Sequence, residues 1–457
     1  MKIGINQFLF MKLKTVLVGC GDRTCVYADL AMHTFDAIEI VAAVDPDKER
    51  QKYVHEHFGV PFEKCYSDIK EVLALGKIGD CVINGTMDQL HVETAIPFLE
   101  QGYDMLLEKP ITNNEKDLLH LAKVAKEHNS KLMICHVLRF SPFYREIKKI
   151  LLSGEIGDIM TINTSERVGV YHSSVSYLRG KWNTEKECGS SFLLAKCCHD
   201  IDLIVWLNGG DKPVSVYSEG DRNFFNEKNA PKGCGNRCMV DCPKAIKDKC
   251  IYDAESLYIK NDYLPWYPWQ CTGKNYQDVT LEEKIESLKT YNPHGKCVYK
   301  CGGDILDHQQ VLVKFSNGVI ACHTLILGAM KADRTIHIAC TGGEIEGSAS
   351  SGKLYVRTFD KEHAGYFEKV IDFSDKQGET GGHFGGDKGL VQDFIAYLSG
   401  GKPSISTTII EDSLTGHLLV YAADESVKTH KPILFNKECQ KWKKEWVSQF
   451  FLLFQLL

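Results

Sequence analysis

The stretch KTVLVGCGDRT, residues 14–24, decides the fold. Its first part is a compact apolar run of strand length, and Gly19 onward is a glycine turn that opens a helix. A strand that turns through Gly-x-Gly into a helix is the context a dinucleotide fingerprint requires. Gly19 permits the tight turn, and Gly21 lets the backbone approach a pyrophosphate that the helix N-terminus then stabilises. Gly19, Cys20, Gly21, Asp22 and Arg23 are therefore the candidate phosphate-binding residues. Thr24 stands where a third glycine usually does, so this spacing alone is a weak signal. Asp45 strengthens it, at the end of the next apolar run, EIVAAVD (39–45). A carboxylate there accepts hydrogen bonds from the adenine-ribose hydroxyls and repels a 2′-phosphate, which favours NAD over NADP. The alternative is a glycine turn of an unrelated α/β protein, with Asp45 as a helix cap.

Strand and helix signals continue to alternate downstream. GDCVING (79–85), YDMLLEK (103–109) and KLMICHV (131–137) read as strands, separated by helical stretches that include 91–102 and 113–129. Near-continuous apolar strands between helices specify a doubly wound parallel sheet, an NAD-binding Rossmann domain over residues 11–138. After Ser141 the pattern changes. A helix over 142–153 leads into longer alternating strands such as 160–170, 309–327 and 334–348, and a helix over 411–430 closes the domain. Residues 139–435 thus read as a C-terminal α+β domain built on a large, mainly antiparallel sheet, interrupted by a Cys-rich insertion at about 220–300.

Bulk properties narrow the function. The 457 residues exceed what one core usually serves. A net charge of −6 without a basic stripe argues against nucleic acid as a partner. No apolar run reaches the roughly 18 residues that span a bilayer, and the first residues lack a proper signal-peptide core, so no membrane partner is expected. Residues 1–10 read as an extension ahead of Met11, and the apolar tail 442–457 as a docking or oligomer helix or a reading-frame accident. The 18 cysteines are not spaced like a secreted disulfide scaffold, which points to reduced thiols and a cytoplasmic protein.

Glu108-Lys109-Pro110, ending a strand after such a fingerprint, resembles the Gfo/Idh/MocA oxidoreductase family. Several further segments are similar to that family. They are Asn84-Gly85-Thr86 with His91, Arg139-Phe140-Ser141-Pro142, Arg179-Gly180-Lys181-Trp182, His199-Asp200-Ile201-Asp202 and the glycine-rich 382–387. The resemblance implies an NAD-dependent oxidoreductase acting on a carbinol carbon of a sugar, sugar derivative or cyclitol, assembled as a homo-oligomer. It adds Thr86, His91, Glu108 and Lys109 to the cofactor site, implies Arg139, Trp182 and Asp202 as substrate contacts, and implies a cis Pro110. Oxidising a secondary alcohol needs a base for the hydroxyl proton and a cation for the developing alkoxide. Lys109 and His199 supply those residue types, with Asp202 three residues on to orient the imidazole. The family's commonest pattern has an Asp four residues before the histidine. Ala195 stands there, followed by Lys196, which becomes a third catalytic candidate. Two rival readings are a redox-assisted glycosidase that keeps its NAD, and a non-catalytic NAD-binding sensor.

Seven cysteines lie between residues 234 and 301. Cys234, Cys238, Cys242 and Cys250 could supply a structural zinc site, although the spacing is not that of a standard zinc ribbon. The equally weighted alternative is a set of unpaired thiols. The aromatic run Tyr263–Trp269 could wall a sugar site, fill the core or form an oligomer contact.

Overall fold

A computed structural model describes residues 11–261, 266–374 and 383–435, so the two terminal segments and Tyr263 fall outside the described residues. Six parallel strands form the first sheet in the order β3-β2-β1-β4-β5-β6. They are β1 (Leu13–Val18), β2 (Ile38–Val44), β3 (Cys65–Tyr66), β4 (Cys81–Asn84), β5 (Asp104–Leu107) and β6 (Leu132–Ile134). Helices cover both faces, which is why these strands read as nearly unbroken apolar runs. The order reverses between β1 and β4, the switch point at which a doubly wound sheet opens a ligand crevice.

The second sheet has nine strands and is antiparallel except where β7 (Ile159–Gly169) runs parallel to β10 (Ile320–Ala329). The others in chain order are β8 (Pro213–Asp221), β9 (His308–Phe315), β11 (Asp333–Cys340), β12 (Gly343–Ser348), β13 (Lys353–Asp360), β14 (Gly365–Asp372) and β15 (Ile433–Leu434). β9, β10 and β11 alternate buried and more exposed positions, as expected when one face is covered. The cover is the helix Phe192–Leu207, in which nearly every residue is buried. One part of the chain departs from the sequence reading. The helix Gly386–Leu398 packs Leu390, Val391 and Phe394 into the core of the first sheet. Helix periodicity tells which face is apolar but not which sheet it covers.

Where the chain crosses between sheets, Arg139 meets the covering helix. Its Nε and Nη2 each donate to Asp202 at 2.6 Å, a bidentate pair with both residues almost fully buried. Removing one partner strands a buried charge, which typically costs about 3–5 kcal/mol. Asp202→Ala should therefore lower unfolding free energy in urea by about that amount, while Arg139→Met with Asp202→Leu recovers most of it. A loss below about 1 kcal/mol for the single variant would contradict this role.

Candidate active site

The turn after β1 is shaped by close approach. Gly19 has φ +74°, and a Cβ on it would stand 2.7 Å from the Thr86 nitrogen in the loop after β4. A helix over Asp22–Asp29 begins at Gly21, and its first rung is Cys25 N–H to Gly21 O at 3.1 Å. The N–H groups of Asp22, Arg23 and Thr24 precede that rung and form an anion-binding end. Around Gly21 a Cβ would meet only Arg50 Nη1, at 3.9 Å, so the approach is open. Thr24 is the departure from the usual spacing, and the structure accounts for it. Its hydroxyl donates to Gly19 O at 2.6 Å and takes the space that a Cβ on Gly85 would need, so Gly85 provides the close packing instead. Asp45 accepts N–H bonds from Cys20 (2.8 Å) and Asp47 (2.9 Å), which ties the carboxylate to the turn. These residues fit a dinucleotide.

Arg23 and Glu108, expected at the cofactor, turn inward. Arg23 pairs with Asp387 and Glu108 and donates to Tyr27 Oη, while Glu108 accepts from Tyr27 Oη and from the Lys109 N–H. Their side chains brace the floor of the crevice. His91 is likewise a brace, with its ring nitrogens against the Pro110 and Thr86 carbonyls. The Lys109–Pro110 bond is cis.

Lys109 reaches across the crevice and donates from Nζ to Ala195 O at 2.9 Å, on the helix that carries Lys196 and His199. His199 is buried, and its Nδ1 has no hydrogen-bond partner. Burial, reinforced by the Lys109 charge, holds its imidazole well below the ordinary range, so it is neutral at pH 7. The expected His199–Asp202 partnership is not formed, because both Asp202 oxygens are taken by Arg139. That pair also buries Arg139 and Asp202 away from substrate. Lys196 lies 3.2 Å from Glu166, whose other oxygen meets Arg334, which in turn pairs with Asp200. Trp182 is half-buried against the second core, with the Lys181 ammonium 4.3 Å from its ring.

Three further groups belong here: His172, which the sequence analysis did not single out, His383 of the glycine-rich segment and Tyr267 of the aromatic run. His172 lies in the field of Lys196, Lys109 and His383, and its pKa is lowered first by burial. The His383 ring is 6.1 Å from that of His199, and its Nδ1 is 3.2 Å from Asp387. Tyr267, from the insertion, has its ring 6.4 Å from His172 and is pushed up to about 12 by burial, then by Asp22 of the cofactor turn. Contacts such as His199 with His383 and Tyr267 with Asp22 join segments far apart in the chain, so no local spacing announces them. Trp269, from the same aromatic run, is core. In the insertion, Cys234, Cys238, Cys242 and Cys250 line one cavity together with Cys297, whereas Cys271 is exposed and Cys301 bonds to Leu178 O.

A Rossmann domain joined to an open, largely antiparallel sheet, with a lysine and a neutral histidine at the junction, defines a dinucleotide-dependent oxidoreductase architecture. Residues 13–136 match the model of the oxidoreductase family with NAD-binding Rossmann fold, and residues 144–240 match the GFO/IDH/MocA C-terminal domain. The chain belongs to the Gfo/Idh/MocA oxidoreductase family, and its first domain is an NAD-binding Rossmann domain. It is similar to the putative oxidoreductase YteT of Bacillus subtilis, at 26% identity over 78% of this chain and 82% of that one. It is 25% identical to an inositol 2-dehydrogenase of Corynebacterium glutamicum over 45% of this chain and 56% of the relative. The fold matches myo-inositol 2-dehydrogenase from Lactobacillus plantarum with a TM-score of 0.63 at 18% identity, covering 93% of this chain and 100% of that one. It also matches the WlbA dehydrogenase from Bordetella pertussis in complex with NADH and UDP-GlcNAcA, with a TM-score of 0.60 at 16% identity over 93% and 99% of the two chains.

Buried histidines favour unfolding in acid. His136, His199, His294 and His417 are all displaced downward by burial, His294 to about 4 and His417 to about 3. Their unfolded forms take up protons below about pH 6.5 while the native forms stay neutral, so stability is lost as pH falls from there. Buried carboxyls such as Asp424, pushed up to about 7 by burial, work in the opposite sense between about pH 4 and 7. His136 has both ring nitrogens unpartnered, so His136→Leu removes no hydrogen bond. Urea midpoints at pH 7.5 and 5 should show a smaller acid loss in that variant, by up to about 1.4 kcal/mol per pH unit below 6.5. An equal loss in both proteins would contradict the burial of a neutral His136.

Proposed function

We propose that this protein is an NAD-dependent dehydrogenase that oxidises a carbinol carbon of a sugar, sugar derivative or cyclitol, or runs the reverse reduction, in the cytoplasm. The observation that carries this reading is Lys109 beside a buried, neutral His199 at the carboxyl end of the parallel sheet, next to the dinucleotide turn. The inositol dehydrogenase among its relatives supports the substrate class.

NAD, when bound, supplies the hydride acceptor. Gly19, Gly21 and the N–H groups of Asp22 and Arg23 would hold its pyrophosphate, and Asp45 the adenine ribose. Lys109 donates a hydrogen bond to the reacting oxygen and offsets the alkoxide charge. His199, neutral at pH 7, takes the hydroxyl proton. Lys196, held by Glu166, orients a second substrate hydroxyl, and His172, Tyr267 and Trp182 wall the pocket. Arg139 and Asp202 act as positioning residues that hold the helix bearing His199 against Lys109.

A homo-oligomer formed through the outer face of the nine-stranded sheet is part of this reading. Met160, Tyr217, Leu312 and Ile320 are exposed there on neighbouring strands, with Tyr217 and Leu312 directly paired.

Lys109→Ala should lower kcat/KM by roughly 10²–10⁴-fold while calorimetric NAD affinity changes little. Full activity in that variant, or lost NAD binding without a specific loss of turnover, would overturn the assignment.

A further inference from the structure

We propose that the insertion carries a thiolate metal site, formed by Cys234, Cys238, Cys242, Cys250 and Cys297 around a bound thiophilic metal. These five residues line one cavity of about 20 Å³, which they share with Arg179, Lys247 and Tyr252. Cysteines from two separate runs of chain are brought together by backbone pairing. Cys238 N–H donates to Gly295 O at 2.9 Å, Cys297 N–H donates to Asn236 O at 2.8 Å, and Arg237 and Lys296 form an antiparallel bridge between them. Asp241 closes the loop by accepting the Asn236 and Arg237 N–H groups at 2.9 and 2.8 Å. The Cys234 and Cys238 thiols neighbour that of Cys297 across this pairing.

The surroundings suit ligated thiolates. A metal held by four of these five cysteines leaves a net negative charge, because each ligating thiol releases its proton to solvent. Arg179 Nη2 donates to Cys238 Sγ at 3.4 Å, and Lys247 lines the same cavity. Arg179 also bonds Tyr252 O, Lys296 O and Ser174 Oγ, so the site is tied to the segment Ser173–Leu178 beside His172. Such second contacts orient ligands and fix a metal site in its fold. The insertion has a physical need for a staple. Its longest described helix is Leu281–Lys289, and its own apolar cluster is small.

The spacing leaves two occupants of the same chemistry. A single zinc at about 2.3 Å from each sulfur sets the sulfurs about 3.8 Å apart. Among the described residues no three of these sulfurs lie within 4.8 Å of one another, so one ion draws them inward, whereas an iron–sulfur cluster bridges a wider gap.

The test is metal analysis of the full-length protein, purified without oxygen, chelator or a metal-binding tag. About one equivalent of zinc per chain without visible absorbance, or iron with acid-labile sulfide and broad visible absorbance, supports the site. In either case the Cys238→Ser/Cys297→Ser variant loses the metal and Cys271→Ser keeps it. If the double variant does not fold, titration of metal-stripped wild type with cobalt(II) replaces it, and thiolate charge-transfer bands support the site. Wild-type protein without thiophilic metal and without cobalt bands, its thiols free to modification or paired as disulfides, overturns the proposal. Metal content is read independently of turnover, so failure here leaves the dehydrogenase reading standing.

Discussion

The Arg139–Asp202 pair is the constraint on which the site depends. Arg139 lies where the chain leaves the parallel sheet, and Asp202 lies on the helix that covers the second sheet. Ser406 Oγ bonds the Arg139 carbonyl, and the Trp206 ring lies 5.7 Å from the guanidinium, so the pair sits among packed groups and cannot relax toward water. Two fixed, parallel hydrogen bonds set the direction of that helix as well as its distance. Lys196 and His199 lie on the same helix, within two turns of Asp202, so their positions relative to Lys109 follow from this contact. A hydrophobic pair of similar volume would hold the sheets together, but without the directionality that fixes how this helix faces Lys109.

Charge is arranged around this junction so that one histidine stays neutral. Lys109 and Arg334 lie near His199 at different distances, and each disfavours a second positive charge. The cations are themselves compensated: Lys196 and Arg334 by Glu166 and Asp200, and Arg23 by Asp387 and Glu108. A neutral imidazole and a hydrogen-bond-donating ammonium therefore stand near each other at this junction. Phe384 and His383 both adopt left-handed backbone, at φ 56° and 53°. Non-glycine residues seldom take that conformation.

Much of this was legible in the sequence, for physical reasons. Parallel strands buried on both faces must be apolar throughout, and Gly19 can be read because only glycine permits the turn and the approach to Thr86. Lys109 and His199 could be singled out because each lies within a short, recognisable segment. Side-chain direction could not be read. Arg23 sits in the fingerprint, yet its partner is Asp387, 364 residues away. Asp202 was matched with His199 on helical spacing, but tertiary packing gives it to Arg139. Cys297 was counted among the cysteines but left out of the ligand set, because only the backbone pairing at Gly295 and Asn236 brings it to Cys238. Residues 386–398 fall within the second domain's bounds in the sequence reading, although the apolar face of the helix Gly386–Leu398 completes the core of the first sheet.

The central claim is that the crevice performs hydride transfer between a hydroxylated substrate and NAD. The most direct measurement is NADH absorbance after mixing the purified protein and NAD with a panel of sugars, cyclitols and nitrophenyl glycosides. NADH formation with at least one sugar or cyclitol, abolished by Lys109→Ala, is the predicted result. Release of nitrophenol without NADH, or no absorbance change with any compound despite measurable NAD binding, would contradict it.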